Sequence, residues 1–363
     1  MGKRIRVLVV DDSSFMTSAI SRILKADPDI DIVGIAHDGA EAVEKVEKLR
    51  PTVVTLDVLM PRVDGLTALG QIMSVCPTPV VMISGLTTEG AQATVRALEL
   101  GAVDFFPKAS HISPLSGAYG TTSLVGKVRI AARARILKAR TPAPPPRAGY
   151  FKRAGSKRLA VGMNRVVVIA SSTGGPRALM QIVPAIPADI PASILVAQHM
   201  PPMFTRSLAE RLDHLSQLEV KEAEEGDAIA PGRLLLAPGD YHMTVDTRAK
   251  IGLNQQPSVW GIRPAADVTM ESVAARYGPA SLGVVLTGMG VDGTRGAALI
   301  KAAGGKVYTE HQSTCAVYGM PMSVIAAGYA DKVLPVHRIA PEIVRACRQE
   351  KESPSPGNAE TTL

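Results

Sequence analysis

Val166-Val167-Val168-Ile169-Ala170-Ser171-Ser172-Thr173-Gly174-Gly175-Pro176-Arg177 is the stretch around which the second half of this chain is organised. Its run of β-branched apolar residues predicts a buried strand, and Pro176 suits the first turn of a helix. The tight turn of small residues between them exposes a serine hydroxyl where the free N–H groups of that helix converge. Such a corner can present a nucleophile, cradle a phosphate or simply connect strand to helix. Its neighbours decide between these.

Two further strand-to-loop junctions supply partners. The strand Ile194–Ala197 delivers Gln198-His199-Met200-Pro201-Pro202, and the strand Leu282–Leu286 runs into Thr287-Gly288-Met289-Gly290-Val291-Asp292-Gly293. Helical spacing from Phe204 to Leu215, from Asp267 to Tyr277 and from Thr294 to Ala303 alternates with these strands. That alternation predicts a doubly wound parallel sheet whose loops gather at one edge. Segments 219–223, 233–237 and 241–245 are expected as shorter, partly antiparallel strands. Later elements are a strand at 306–309, a helix at 320–327, a short strand at 332–334 and a closing helix at 341–348.

On this arrangement Ser172 attacks a carbonyl carbon, His199 takes its proton, and Asp292 orients the imidazole. A backbone N–H at Met289 is a candidate oxyanion donor. Ser171 is a rival nucleophile and His242 a rival base. Gly288-x-Gly290-x-x-Gly293, with Glu310 beyond the next strand, also matches a dinucleotide fingerprint. Against that fingerprint, a carboxylate at 292 would repel a pyrophosphate, and the loop does not follow the first strand of its sheet.

The first half alternates in the same way. Strands at 5–10, 32–36, 53–57, 80–84 and 103–106 place Asp11, Asp12, Asp57, Ser84 and Lys108 at strand ends. Three carboxylates on one edge repel each other unless a cation joins them, and an all-oxygen set suits Mg²⁺. With a hydroxyl and an ammonium beside them, the set fits phosphoryl transfer to a carboxylate.

At 363 residues the chain has room for two domains, expected at 1–125 and 163–350. The net charge of +7 is concentrated between Lys127 and Arg158, which hold eleven lysines and arginines and no acidic residue. Leu124 to Arg140 reads as a basic helix, and with Thr141-Pro142-Ala143-Pro144-Pro145-Pro146 after it, 126–162 as a whole is expected to be a basic, semi-rigid tether solvated in water, not a nucleic-acid surface. A DNA-binding regulator using that segment, or a non-enzymatic dinucleotide sensor, are the competing functions. The tail 351–363 is polar and expected to be disordered. Cys76, Cys315 and Cys347 lack metal-ligand spacing, and no apolar run is of membrane-spanning length. Together with the absence of a secretory signal pattern, this predicts a cytoplasmic protein without membrane insertion.

Two resemblances sharpen these expectations. Residues 1–125 resemble a response-regulator receiver domain through Asp11-Asp12, Leu56-Asp57-Val58-Leu59-Met60-Pro61, Ser84 and Lys108. The resemblance implies that Asp57 is the phosphoacceptor for a histidine kinase, and that Asp11, Asp12, Asp57 and the Leu59 carbonyl bind Mg²⁺. It further implies that Ser84 shifts on phosphorylation, that Lys108 contacts the phosphoryl group, and that Phe105 is a rotameric switch. From about Val166 to Arg348, the Ser172, His199, Asp240–His242 and Asp292 segments resemble the catalytic domain of the chemotaxis protein-glutamate methylesterases. That implies hydrolysis of glutamyl methyl esters on chemoreceptor helices, and deamidation of certain receptor glutamines, with no cofactor for the ester chemistry. By position, Ser172, His199 and Asp292 are then the triad, Met289 contributes to the oxyanion hole, and Thr173 lines the site.

Overall fold

The structure, a computed structural model, describes residues 4–108, 123–136 and 165–348. In the first half β1 (Ile5–Val10), β2 (Ile30–Ala36), β3 (Val53–Asp57), β4 (Val80–Ser84) and β5 (Asp104–Pro107) form one sheet. Its order is β2-β1-β3-β4-β5, and every pairing is parallel. The helices are α1 (Ser14–Lys25), α2 (Gly39–Leu49), α3 (Gly65–Val75), α4 (Thr88–Leu100) and α5 (Leu124–Arg133). Each begins at a residue whose side chain accepts a first-turn N–H: Ser13, Asp38, Asp64, Thr87 and Ser123. Such caps are worth about 1 kcal/mol apiece and fix where each helix starts.

Helix α5 corrects the expected boundary. From Gly126 onward it falls in the segment assigned to the tether, yet Val128 and Ala131 are buried with Val125, Val9, Ile20, Leu24 and Val81 in the first half's core. The apolar positions recur at helical spacing and form one buried face between the lysines and arginines. Lys127 pairs with Asp104 at 2.8 Å, and Arg129 grips Asp27 through two bonds of 2.6 and 2.7 Å. Part of the basic run therefore lies on a folded surface and is already neutralised. The helix stops at Arg133, short of the expected 140, where Ala134 turns to extended backbone. The remainder of the tether and the tail from Lys351 lie outside the described residues.

In the second half seven strands pair in the order β14-β13-β12-β6-β7-β9-β8. They are β6 (Arg165–Ser171), β7 (Ala192–Gln198), β8 (Glu219–Glu222), β9 (Arg233–Leu236), β12 (Ser281–Val285), β13 (Lys306–Glu310) and β14 (Lys332–Leu334). All six pairings are parallel, so β8 and β9 extend the main sheet and are not antiparallel additions. The antiparallel element is a separate hairpin, β10 (His242–Val245) with β11 (Ile251–Asn254). Helices α6 (Gly175–Ile182), α7 (Phe204–Leu215), α8 (Ala266–Tyr277), α9 (Thr294–Ala302), α10 (Met320–Ala326) and α11 (Val336–Arg348) complete it. The chain winds one way from β6 to β7 and the other way from β12 to β13. The crevice between β6 and β12 is therefore the sheet's switch point, where such folds bind ligands. No helix of the described residues is long and apolar enough to cross a membrane.

The two halves meet along α4, β5 and α5 of the first and α6, α7 and the site loops of the second. Phe105 stacks on Phe204 with ring centroids 4.3 Å apart. Arg211 reaches both oxygens of Glu99 at 2.9 and 2.8 Å, and the Arg135 N–H donates to Ala316 O at 3.1 Å.

The placement of α5 yields a direct prediction. A fragment ending at Val125 should be less stable than one ending at Ile136 by at least about 3 kcal/mol, because it forfeits burial of Val128 and the apolar face around it. Urea unfolding of the two fragments measures the difference.

Candidate active site

Ser171 ends β6 and Ser172 follows it, and the structure separates their roles. Ser171 is fully buried, and its hydroxyl donates to Gln198 Oε1 at 2.7 Å. Ser172 is partly exposed, its N–H donates to Thr287 O at 3.1 Å, and its carbonyl accepts from Gly175 N and Gln198 Nε2. These bonds fix the corner, and Ser172 lines the crevice. Gly174 turns the chain at φ +79, which a Cβ would strain. Gly288 lets the neighbouring loop approach, since a Cβ there would stand 2.8 Å from that of Ser172.

His199 follows β7, and its Nε2 lies 2.7 Å from Asp292 Oδ2. Asp292 is 1% exposed and, besides a bond from Gly293 N at 3.0 Å, accepts from Ala266 N at 2.6 Å and Asp267 N at 2.9 Å. The latter two are the first N–H groups of α8, whose own cap residue, Ala265, has no side chain that can serve. Burial alone would raise the Asp292 carboxyl, but the bond and charge of His199 and the α8 N–H groups hold it below its ordinary value. It is a carboxylate, and the pair leaves Nδ1 as the imidazole's proton acceptor.

Ser172, Thr173, His199, Met289 and Asp292 line one cavity of about 210 Å³. The sequence brought these residues to a common edge, and the structure gathers them around a common space. Among the described residues no hydrogen bond joins the Ser172 hydroxyl to His199, a contact that often tightens only around a substrate. The Met289 N–H has no backbone acceptor there. The far wall comes from the first half: Leu98, Val103, Asp104, Phe105, Lys127 and Ile130. The Thr173 hydroxyl is engaged across the joint, donating to Asp104 Oδ2 at 2.6 Å.

The rivals resolve on geometry. His242 is buried; the Ala265 N–H donates to its Nδ1 at 3.3 Å, so Nε2 carries the proton toward Pro257 O at 3.2 Å. Burial holds its pKa below the ordinary histidine value. It is a structural neutral imidazole with no lone pair to spare. The dinucleotide fingerprint is filled from within the protein. Asp267 Oδ1 accepts from Gly293 N at 2.9 Å and Gly296 N at 2.7 Å, occupying the donors a pyrophosphate would need. Glu310 is fully buried and accepts from Thr287 N.

Asp267 was not singled out in the sequence. It caps α9, which has no cap of its own at Gly293, while Asp292 beside Gly293 caps α8. Burial and the nearby charge of Asp292 push the Asp267 carboxyl above its usual value. The available signal was an Asp in the first turn of a predicted helix, too common to distinguish.

In the first half, Asp11, Asp12 and Asp57 bring their carboxylate oxygens within 4.8 Å of one another. Lys108 Nζ lies 2.8 Å from Asp57 and 3.1 Å from Asp11. Burial pushes the Asp57 carboxyl up to about 6, against the bond and charge of Lys108. Three clustered carboxylates against one ammonium leave negative charge uncompensated, and the donor set is all oxygen, which fits Mg²⁺. Ser84 turns its hydroxyl to Gly90 O at 3.1 Å, at the start of α4, and Phe105 is buried at the joint.

An acidic pocket beside a lysine at the edge of one parallel sheet, and a crevice lined by serine, histidine and aspartate on the other, are the combination of a response-regulator receiver with an enzymatic output half. The response regulator receiver family matches residues 7–119, and the CheB methylesterase family matches residues 167–343. The protein-glutamate methylesterase/protein-glutamine glutaminase of Symbiobacterium thermophilum is 52% identical over 94% of this chain and 97% of its own length. Those of Pyrococcus horikoshii and Thermotoga maritima are 46% and 45% identical over 95% and 94% of this chain, and over 94% and 98% of their own lengths. The catalytic domain of Thermotoga maritima CheB methylesterase, a solved structure, is 48% identical over 50% of this chain and 98% of that one, at a TM-score of 0.49. This chain belongs to the protein-glutamate methylesterase/protein-glutamine glutaminase family.

The double duty of Asp292 can be separated by stability. Asp292→Ala, which uncaps α8 and leaves His199 unpaired, should cost about 1–2 kcal/mol, whereas Ser172→Ala should stay within about 0.5 kcal/mol of the parent. Chemical denaturation of the two variants compares them.

Proposed function

We propose that this chain hydrolyses glutamyl methyl esters on chemoreceptor cytoplasmic helices, releasing methanol, and deamidates certain receptor glutamines. Its receiver half covers the site until a histidine kinase phosphorylates Asp57. The observation that carries this reading is the shared cavity, with Ser172, His199 and Asp292 on one side and receiver residues on the other.

The chemistry follows from the geometry. His199 Nδ1 takes the Ser172 proton as Oγ attacks the ester carbonyl, and the Asp292 carboxylate stabilises the imidazolium that forms. The Met289 N–H receives the oxyanion. The imidazolium then protonates the departing methoxide, and methanol leaves. Water, deprotonated by the same nitrogen, releases glutamate from the acyl-serine. With glutamine the departing group is ammonia.

Regulation runs through shared elements. Lys108 pairs with Asp57 and directly follows β5, which carries Asp104 and Phe105. Ser84 is bonded to the first turns of α4, which carries Leu98 and Glu99. A phosphoryl group on Asp57 that draws Lys108 and Ser84 toward it strains the two elements holding the joint closed. Asp11, Asp12, Asp57 and the Leu59 carbonyl are the residues that would hold Mg²⁺, which supplies neutralising charge for phosphorylation. The three buried cysteines, Cys76, Cys315 and Cys347, form no disulfide and take no part.

Methanol release from methylated receptor membranes tests this. Ser172→Ala should lose at least about a thousandfold in rate, and Asp57→Asn should not respond to a small phosphodonor. Asp104→Ala, which breaks the bond to Thr173, should raise the unphosphorylated rate about tenfold. A Ser172→Ala enzyme with most of its activity, or an Asp57→Asn enzyme that still responds, contradicts the reading.

A further inference from the structure

Trp260 is the single tryptophan of the chain, and its backbone is unusual. Val259 and Ile262 exchange both N–H···O bonds, at 3.2 and 3.0 Å, around a two-residue turn. Both central residues have positive φ, Trp260 at 56 and Gly261 at 75. Such turns ordinarily take Asn, Asp or Gly at the first position, because a bulky side chain rarely adopts that conformation. A strained aromatic that persists at the rim of a site points to a use for it.

The indole N–H donates to Asp267 Oδ2 at 3.1 Å. That bond anchors the ring to the buried aspartate that caps α9, while the ring stays 63% exposed. Trp260 lines the ester cavity together with Ile262, Met289 and Val291, and Met289 and Val291 are also large apolar residues left exposed. Exposed apolar side chains gathered at one site mark a contact surface. Here the patch is continuous with the joint, since Leu98, Val103 and Phe105 line the same cavity from the receiver side. The occupant that replaces the receiver must therefore offer apolar surface of its own.

We infer that Trp260, with Val291 beside it, is a specificity-determining platform that receives the apolar flank of the receptor helix on either side of the modified glutamate. The inference rests on the esterase reading above and names how its substrate is recognised. A glutamate on a helix brings its neighbours three and four positions away onto the same face. The surface around the pocket therefore meets a helix rather than an isolated ester. Anchored by its N–H, the indole offers a large rigid face with little freedom left to lose, the property that makes tryptophan a frequent energetic centre of interfaces.

The test compares two substrates with the phosphodonor-activated full chain: methylated receptor membranes and a short soluble peptide carrying a glutamyl methyl ester. Trp260→Ala should raise KM for receptor and lower the receptor-to-peptide ratio of kcat/KM by at least about tenfold. Val291→Ser should lower the ratio in the same direction, and Trp260→Phe, which keeps the ring but not the N–H, should retain most of it. Equal losses on both substrates for Trp260→Ala and Trp260→Phe would assign Trp260 only to positioning Asp267 and overturn the inference. So would a Trp260→Ala ratio within about twofold of the parent. Failure of the esterase reading is seen separately, as a parent chain that releases methanol from neither substrate.

Discussion

The catalytic edge depends on two aspartates that finish each other's helices. Asp292 accepts the first N–H groups of α8, and Asp267, in the first turn of α8, accepts N–H groups of α9. Neither helix has a cap of its own, so each carboxylate meets a need the other element creates. The arrangement sets two negative charges close together in the interior, which is costly unless donors surround them. Helix N-termini supply such donors and their positive potential together. The consequence for chemistry is that the carboxylate facing His199 cannot swing away without uncapping α8.

The same economy governs the joint. β5 is the receiver's edge strand; it begins at Asp104, which holds Thr173, and is followed directly by Lys108, which holds Asp57. A phosphorylation signal therefore has almost no distance to travel along the chain. The Phe105–Phe204 stack and the Glu99–Arg211 pair hold the closed form beside it. The Phe105–Phe204 stack is buried, whereas Glu99 and Arg211 are partly exposed, so parting the halves uncovers apolar surface chiefly at the stack. On the proposed reading, the active site is covered rather than distorted.

Much of this was legible in the residues. Strands of the parallel sheets announced themselves as short β-branched runs, and their ends named the carboxylates, the serine and the histidine. What escaped had physical reasons. Helix α5 was legible as a basic helix, but its packing into the first half's core was not, because lysines and arginines fill positions between Val125, Val128 and Ala131. Strands β8 and β9 are only four residues long, too short for their periodicity to reveal direction. Asp267 and Trp260 gain their roles only from contacts made across the fold, to Gly293, Gly296 and each other. The Thr173–Asp104 bond joins residues 69 positions apart in different domains, beyond any local pattern.

The claim on which the account turns is that the second half is complete as an enzyme and is held back only by its neighbour. The most direct measurement is methanol release by residues 165–363 alone, set against the intact unphosphorylated chain on the same receptor membranes. The account predicts that the isolated half is faster, indifferent to the phosphodonor, and close to the phosphorylated intact chain. An isolated, folded half that is inactive, or no faster than the intact unphosphorylated chain, would contradict it.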